Sequence, residues 1–280
     1  GTMQLWIMKA EGSDRTQITD REGGVNDFAF SPDESKLLFV ADVKYGERTV
    51  DKYPDLPKAS GIIVNDLMYK HWDEWVQTVP HPFIADFTGK KIENEKDILE
   101  GEPFESPMKP FGGIEQLAWS PDGKTIAYTC RKKTGKAYAL STNSDIYFYN
   151  IESGKTENKT EGMMGYDQNP VFSPDGQWLA WESMERDGYE ADKNRLFVMN
   201  IASGEKKDLS ANFDQNSSGL KWTADSKSIY FVSCWHAVTQ IYRIGVAAAD
   251  TSITQITKGV HDYGFVALAN DNLIGVKHSM

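Results

Sequence analysis

The residues best equipped for chemistry sit in one acidic and aromatic stretch, Trp181-Glu-Ser-Met-Glu-Arg-Asp-Gly-Tyr-Glu-Ala-Asp-Lys193. Carboxylates beside a tyrosine hydroxyl can hold an ammonium group, such as a peptide amino terminus, through charge-assisted hydrogen bonds. Glu182, Glu185, Tyr189 and Glu190 are therefore candidate substrate-binding residues. The same charges could instead be neutralised within a solvated loop by Arg186, Lys193 and Arg195. A second cluster, His71-Trp-Asp-Glu-Trp75, reads either as a docking surface or as a packed insert.

Catalytic signatures are missing from the sequence. It contains no Gly-x-Ser-x-Gly elbow, P-loop, Gly-x-Gly-x-x-Gly, His-Glu-x-x-His or Cys-x-x-Cys. His71, His81, His236, His261 and His278 lie scattered, so no catalytic residue, metal site or cofactor is expected of this chain alone. Cys130 and Cys234 follow equivalent apolar runs in non-adjacent repeats, and no disulfide between them is expected. A net charge of -11 argues against nucleic acid, which needs a clustered basic surface, and Arg131-Lys-Lys133 reads as solvated loop. No run of about 18 apolar residues is present to span a bilayer, so membrane insertion is not expected.

A repeated phrase supplies the elements that must position these residues. Phe28-Ala-Phe-Ser-Pro-Asp33, Leu117-Ala-Trp-Ser-Pro-Asp122, Pro170-Val-Phe-Ser-Pro-Asp175 and Leu220-Lys-Trp-Thr-Ala-Asp225 each carry an apolar strand into a tight turn and out into a second strand. Strands are expected over 114–119, 125–130, 145–151 and 155–160, and the same four-part order recurs over 169–209 and 219–257. A spacing near 50 residues suits one propeller blade. The fold class is all-β, a β-propeller of four-stranded antiparallel blades spanning residues 1–280, with an insertion at 42–81.

Smaller insertions, 131–144 and 183–194, fall at the same point of later blades, between second and third strands. Strand direction alternates, so all three emerge on one rim, which is the expected working surface. The Ser-Pro-Asp turns emerge on the other rim and are read as scaffold. The chain opens on a third-strand pattern, Gln4-Leu-Trp-Ile-Met8, and its last copy stops after the second strand, near residue 277. About five blades' worth of strands are present, with both ends in mid-blade. Either the two halves pair into one composite blade, or the chain is part of a larger propeller.

Taken together, these residues resemble the N-terminal propeller of prolyl oligopeptidase family serine peptidases, in particular the bacterial dipeptidyl peptidase 5 and acylaminoacyl peptidase branch. The likeness is carried by the Ser-Pro-Asp-Gly repeats, Arg195-Leu-Phe-Val-Met-Asn-Ile-Ala-Ser-Gly204, Ser183-Met-Glu-Arg-Asp-Gly-Tyr-Glu-Ala-Asp192 and Lys70-His-Trp-Asp-Glu-Trp75, and covers nearly the whole chain. It implies a C-terminal α/β-hydrolase domain as partner, short peptides as substrates, and a noncatalytic propeller that screens substrate size and contributes to the amino-terminal pocket. It also favours a periplasmic over a cytoplasmic location. Some members grip the substrate ammonium with adjacent glutamates; this chain has no Glu-Glu dipeptide, so that pair does not carry over. TolB-type periplasmic interaction propellers share the repeat and remain the alternative.

Overall fold

The computed structural model describes residues 2–247, 252–269 and 272–279. Four sheets of four antiparallel strands are each a meander of consecutive strands, the propeller-blade arrangement. Blade I comprises Asp27–Phe30, Lys36–Lys44, Thr78–Phe87 and Ile92–Asp97. Blade II comprises Leu117–Trp119, Thr125–Cys130, Asp145–Asn150 and Thr156–Asn158. Blade III comprises Asp167–Phe172, Trp178–Ser183, Arg195–Asn200 and Lys206–Asp208. Blade IV comprises Ser218–Trp222, Ser228–Trp235, Val238–Gly245 and Ile253–Gln255. Two-stranded sheets flank them, Trp6–Ile7 with Thr16–Gln17 and Asp262–Ala269 with Asn272–His278.

The repeated phrase folds into one repeated turn. Ser31, Ser120, Ser173 and Thr223 each donate their hydroxyl to the aspartate two residues on, at 2.6 Å in all four blades. The same hydroxyl oxygens accept the backbone N–H five residues on, from Lys36, Thr125, Trp178 and Ser228. These bonds hold Asp33 at about 2 and Asp122, Asp175 and Asp225 below the usual carboxylate range. The turn is therefore stitched by groups inside the phrase, which is why its residue types recur.

Hydrophobic layers fill the spaces between consecutive blades. Leu38, Val40 and Ile84 of blade I meet Ile126, Tyr128 and Tyr147 of blade II. Ala127, Ile146 and Phe148 meet Leu179, Trp181 and Met199 of blade III, and Leu196 and Val198 meet Ile229 and Phe231 of blade IV. Indole N–H groups add stitches between innermost strands, Trp119 to the Ala29 carbonyl at 3.3 Å and Trp222 to the Val171 carbonyl at 3.0 Å.

Two local differences from the sequence expectation concern strand ends. The strand expected over 114–119 opens with a single turn of 3-10 helix, Ile114–Gln116, whose Gln116 side chain is buried and accepts the Met108 N–H. The ladder flanking the insertion continues past Asp42, which pairs with Pro80, to Lys44 opposite Thr78, so the inserted segment is 45–77. His81 is tolerated inside that strand because Asp97 receives its Nδ1 at 2.9 Å. Of the two arrangements left open for the chain ends, a composite blade is not seen among the described residues, where no ladder joins the hairpin at 262–278 to the strands at 6–17.

Candidate functional site

The rim carrying the second-to-third connections is where side chains converge. Blade I contributes segment 45–77, with a small hairpin, Lys70–His71 paired with Glu74–Trp75. Blade II contributes residues 131–144, including the short helix Gly135–Leu140, and blade III contributes 184–194. Blade IV connects the same strands through a two-residue turn at His236 and Ala237, both with positive φ.

The connections of blades II and III are locked together. Asp187 accepts Ser141 Oγ at 2.7 Å and the Thr142 and Asn143 N–H groups at 2.8 and 3.2 Å. Burial opposes the charge on Asp187, but these bonds outweigh it and hold the carboxyl below its ordinary range. In return Thr142 Oγ1 accepts the Gly188 N–H at 2.9 Å. Between the loops lies a cleft of about 560 Å³ lined by Arg131, Tyr138, Ser141, Thr142, Tyr189 and Glu190.

The structure separates the four candidate residues. Glu182 lies within a strand, buried, accepting Asn194 Nδ2 at 2.6 Å and the Gly219 N–H at 3.0 Å. Burial pushes its carboxyl up against these two bonds. Glu182 is a brace between blades III and IV. Glu185 is exposed outside the cleft lining. Tyr189 and Glu190 stand together in the cleft wall, the tyrosine ring 4.1 Å from the Arg186 guanidinium carbon and Glu190 accepting the Tyr166 hydroxyl at 3.3 Å.

The loop's own charges are only partly neutralised within it. Arg186 Nε donates to Asp192 at 2.9 Å, whereas Lys193 donates to the Ser210 and Phe213 carbonyls and Arg195 to the Ser183 and Met184 carbonyls. Glu190 is left with no cation partner among the described residues.

Arg131 corrects the reading of 131–133 as solvated loop. Its guanidinium carbon lies 4.0 Å from the Tyr138 ring centroid, and Nη1 donates to the Ser141 carbonyl at 2.7 Å. The Tyr138 hydroxyl donates in turn to Glu105, a fully buried carboxylate that also meets His71 Nε2 at 3.0 Å and the Lys109 N–H at 3.2 Å. Within the His71 cluster, His71 is anchored as in a packed insert, while Trp72 is exposed and packs edge-on against exposed Phe111. Arg131, Tyr138, Tyr166 and Asp187 carried no motif: Tyr138 meets Glu105, Tyr166 meets Glu190 and Asp187 meets Ser141 across more than 20 residues, while Arg131 meets Tyr138 and Ser141 within its own connection at no recognised spacing.

Among the described residues no group of three or more His, Cys, Asp or Glu is placed to hold a metal ion. Cys130 is buried, with its thiol pushed up by that burial, and Cys234 is exposed; both are free.

The profile of the TolB beta propeller domain matches residues 114–278, more than half of the chain. The chain belongs to the TolB β-propeller domain family. Dipeptidyl-peptidase 5 of Porphyromonas gingivalis is 56% identical over 279 residues, covering 100% of this chain. Dipeptidyl-peptidase 5 of Porphyromonas endodontalis is 46% identical over 280 residues. In both cases the chain spans 40% of the relative's length. Acylaminoacyl peptidase of Pyrococcus horikoshii superimposes with a TM-score of 0.67 over 98% of this propeller and 38% of that chain, at 16% identity, a likeness of fold.

Proposed function

We propose that this chain is the noncatalytic propeller of a dipeptidyl-peptidase-like serine exopeptidase, where it limits access to short peptides and helps to hold their amino terminus. The observation that carries this reading is identity of 56% along the entire propeller to a dipeptidyl peptidase of which it spans 40%. The remaining length is assigned to a C-terminal α/β-hydrolase domain supplying serine, aspartate and histidine. The rim cleft offers Glu190 without a cation and Tyr189 half-exposed beside it, suited to an ammonium group and an apolar side chain. Segment 45–77, tied down by His71 on Glu105, stands at the same rim and narrows the approach. A periplasmic location goes with this assignment. The domain family by itself would equally suit an interaction propeller; the identity to peptidases favours the first reading.

The test is hydrolysis of dipeptidyl 4-nitroanilides by the full-length parent. Activity is expected to vanish with a serine-directed inhibitor and with an N-acetylated substrate. Glu190→Gln is expected to raise KM about tenfold with kcat little changed, the loss of one charge-assisted contact. Equal hydrolysis of free and N-acetylated substrates would overturn the amino-terminus role.

A further inference from the structure

Arg131 is poised at the cleft with hydrogen-bonding capacity unspent. Its Nε–H is buried and has no partner, and among the described residues no carboxylate lies within ion-pairing distance of it. Its neighbours are treated differently. Lys132 pairs with Glu102 at 2.5 Å, and Arg186 pairs with Asp192. A buried guanidinium N–H left unpaired is costly, and native proteins rarely retain one without a use.

The guanidinium is also held in one orientation. Tyr138 supplies a face beneath it, and the Tyr138 hydroxyl is fixed by buried Glu105. Nη1 is pinned to the Ser141 carbonyl, and Ser141 is itself clamped by Asp187. A planar fork fixed in this way matches a carboxylate, which can take two parallel N–H bonds. In the same cleft lining Glu190 presents the opposite charge, with the Tyr166 hydroxyl bound to it and Arg131 also facing that tyrosine. Exposed Leu140 and Tyr189 add apolar surface to the lining.

We propose that Arg131 is the carboxylate-binding residue of the rim cleft, and that the cleft takes a dipeptide zwitterion with its carboxylate on Arg131 and its ammonium on Glu190. The proposal rests on the reading of this cleft as a peptide site. It adds that the ligand is the short free peptide, as released by an exopeptidase, rather than only the amino end of a longer chain. A cleft of about 560 Å³ accommodates a ligand of that size. Binding here involves no covalent step.

Isothermal titration calorimetry on the full-length protein, its serine blocked by a serine-directed inhibitor, tests this with Ala-Ala, Ala-Ala amide and N-acetyl-Ala-Ala. Amidation and Arg131→Gln are each expected to weaken Ala-Ala binding about tenfold or more, and the amide is expected to be insensitive to Arg131→Gln. Arg131→Lys, keeping the charge without the fork, is expected to retain part of the affinity. Ala-Ala affinity unchanged in Arg131→Gln, or an amide that binds as tightly as the acid, overturns the assignment. N-acetylation distinguishes the two levels: if it weakens binding while amidation does not, the amino-terminus site stands and the Arg131 role falls. If neither modification matters, both fall. Should Arg131→Gln lose its far-ultraviolet circular dichroism, the acid and amide comparison together with Arg131→Lys decides.

Discussion

Asp167 carries a buried carboxyl whose protonation is built into the fold. It lies on the innermost strand of blade III with no solvent exposure, and its Oδ1 accepts the Trp181 indole N–H at 2.9 Å. Burial, aided by nearby Asp145 and opposed by Ser183 and Trp181, pushes it up to about 7. Below about pH 4 the folded and unfolded chains are both protonated here, and the stability associated with the neutral carboxyl is fully present. It is lost as pH rises through about 7, where a charge must be carried in the buried site. A carboxyl titrating near 7 instead of near 4 costs the folded state on the order of 4 kcal/mol once ionised. Asp167→Asn keeps an acceptor for Trp181 and removes the charge. Thermal melts between about pH 4 and 8 should show a decline in wild type that is smaller in the variant; parallel curves would remove Asp167 as a source of it. The same desolvation separates Glu182 from Glu190, two residues that the sequence presents alike. Blades pack on both faces, so a glutamate inside the strand ladder is enclosed whatever its charge, whereas one eight residues on stays at the rim.

The repeated turns show what local sequence can specify. Their hydrogen bonds span at most five residues, so the phrase that makes them is visible in the chain, even where it drifts to Thr223-Ala-Asp225. The rim loops are the opposite case, since Ser141 and Asp187 meet across 46 residues and no neighbouring residue announces the pairing. Within the turns, the position after aspartate has positive φ in all four blades: Glu34 at 57°, Gly123 at 68°, Gly176 at 70° and Ser226 at 60°. Glycine adopts this conformation without penalty, whereas a side chain costs about 1 kcal/mol. A Cβ at Gly176 would meet only Pro121, in ordinary contact with its Cδ at 3.9 Å and Cγ at 4.0 Å, so Gly176→Ala isolates the backbone cost. Urea unfolding should find Gly176→Ala less stable by about 1 kcal/mol and Glu34→Gly more stable by up to about 1 kcal/mol. Changes of the same sign in both would refute the common-turn account.

At the scale of the whole molecule, each blade's main apolar contacts are with the blades beside it. The layers run in series, from Leu5 and Val25 against blade I through to Ile229 and Phe231 of blade IV, and no ladder closes the series among the described residues. An array of this kind has stability that is approximately a sum over neighbouring interfaces, and damage to one interface is felt most by the two units that share it. Leu179 is fully buried in the layer between blades II and III. Leu179→Ala should cost about 2–5 kcal/mol through lost burial and the cavity left behind. Hydrogen exchange read by mass spectrometry should then show protection falling in Thr125–Cys130 and Trp178–Ser183, which border that layer, and much less in Lys36–Lys44, one interface away. Because the rim cleft is assembled from the connections of these two blades, the Ala-Ala affinity proposed for it should fall with the same substitution although Leu179 does not line the cleft. A uniform loss of protection across all blades would instead mean that the propeller opens as a single unit, and the cleft would then owe its geometry to the whole array rather than to one shared interface.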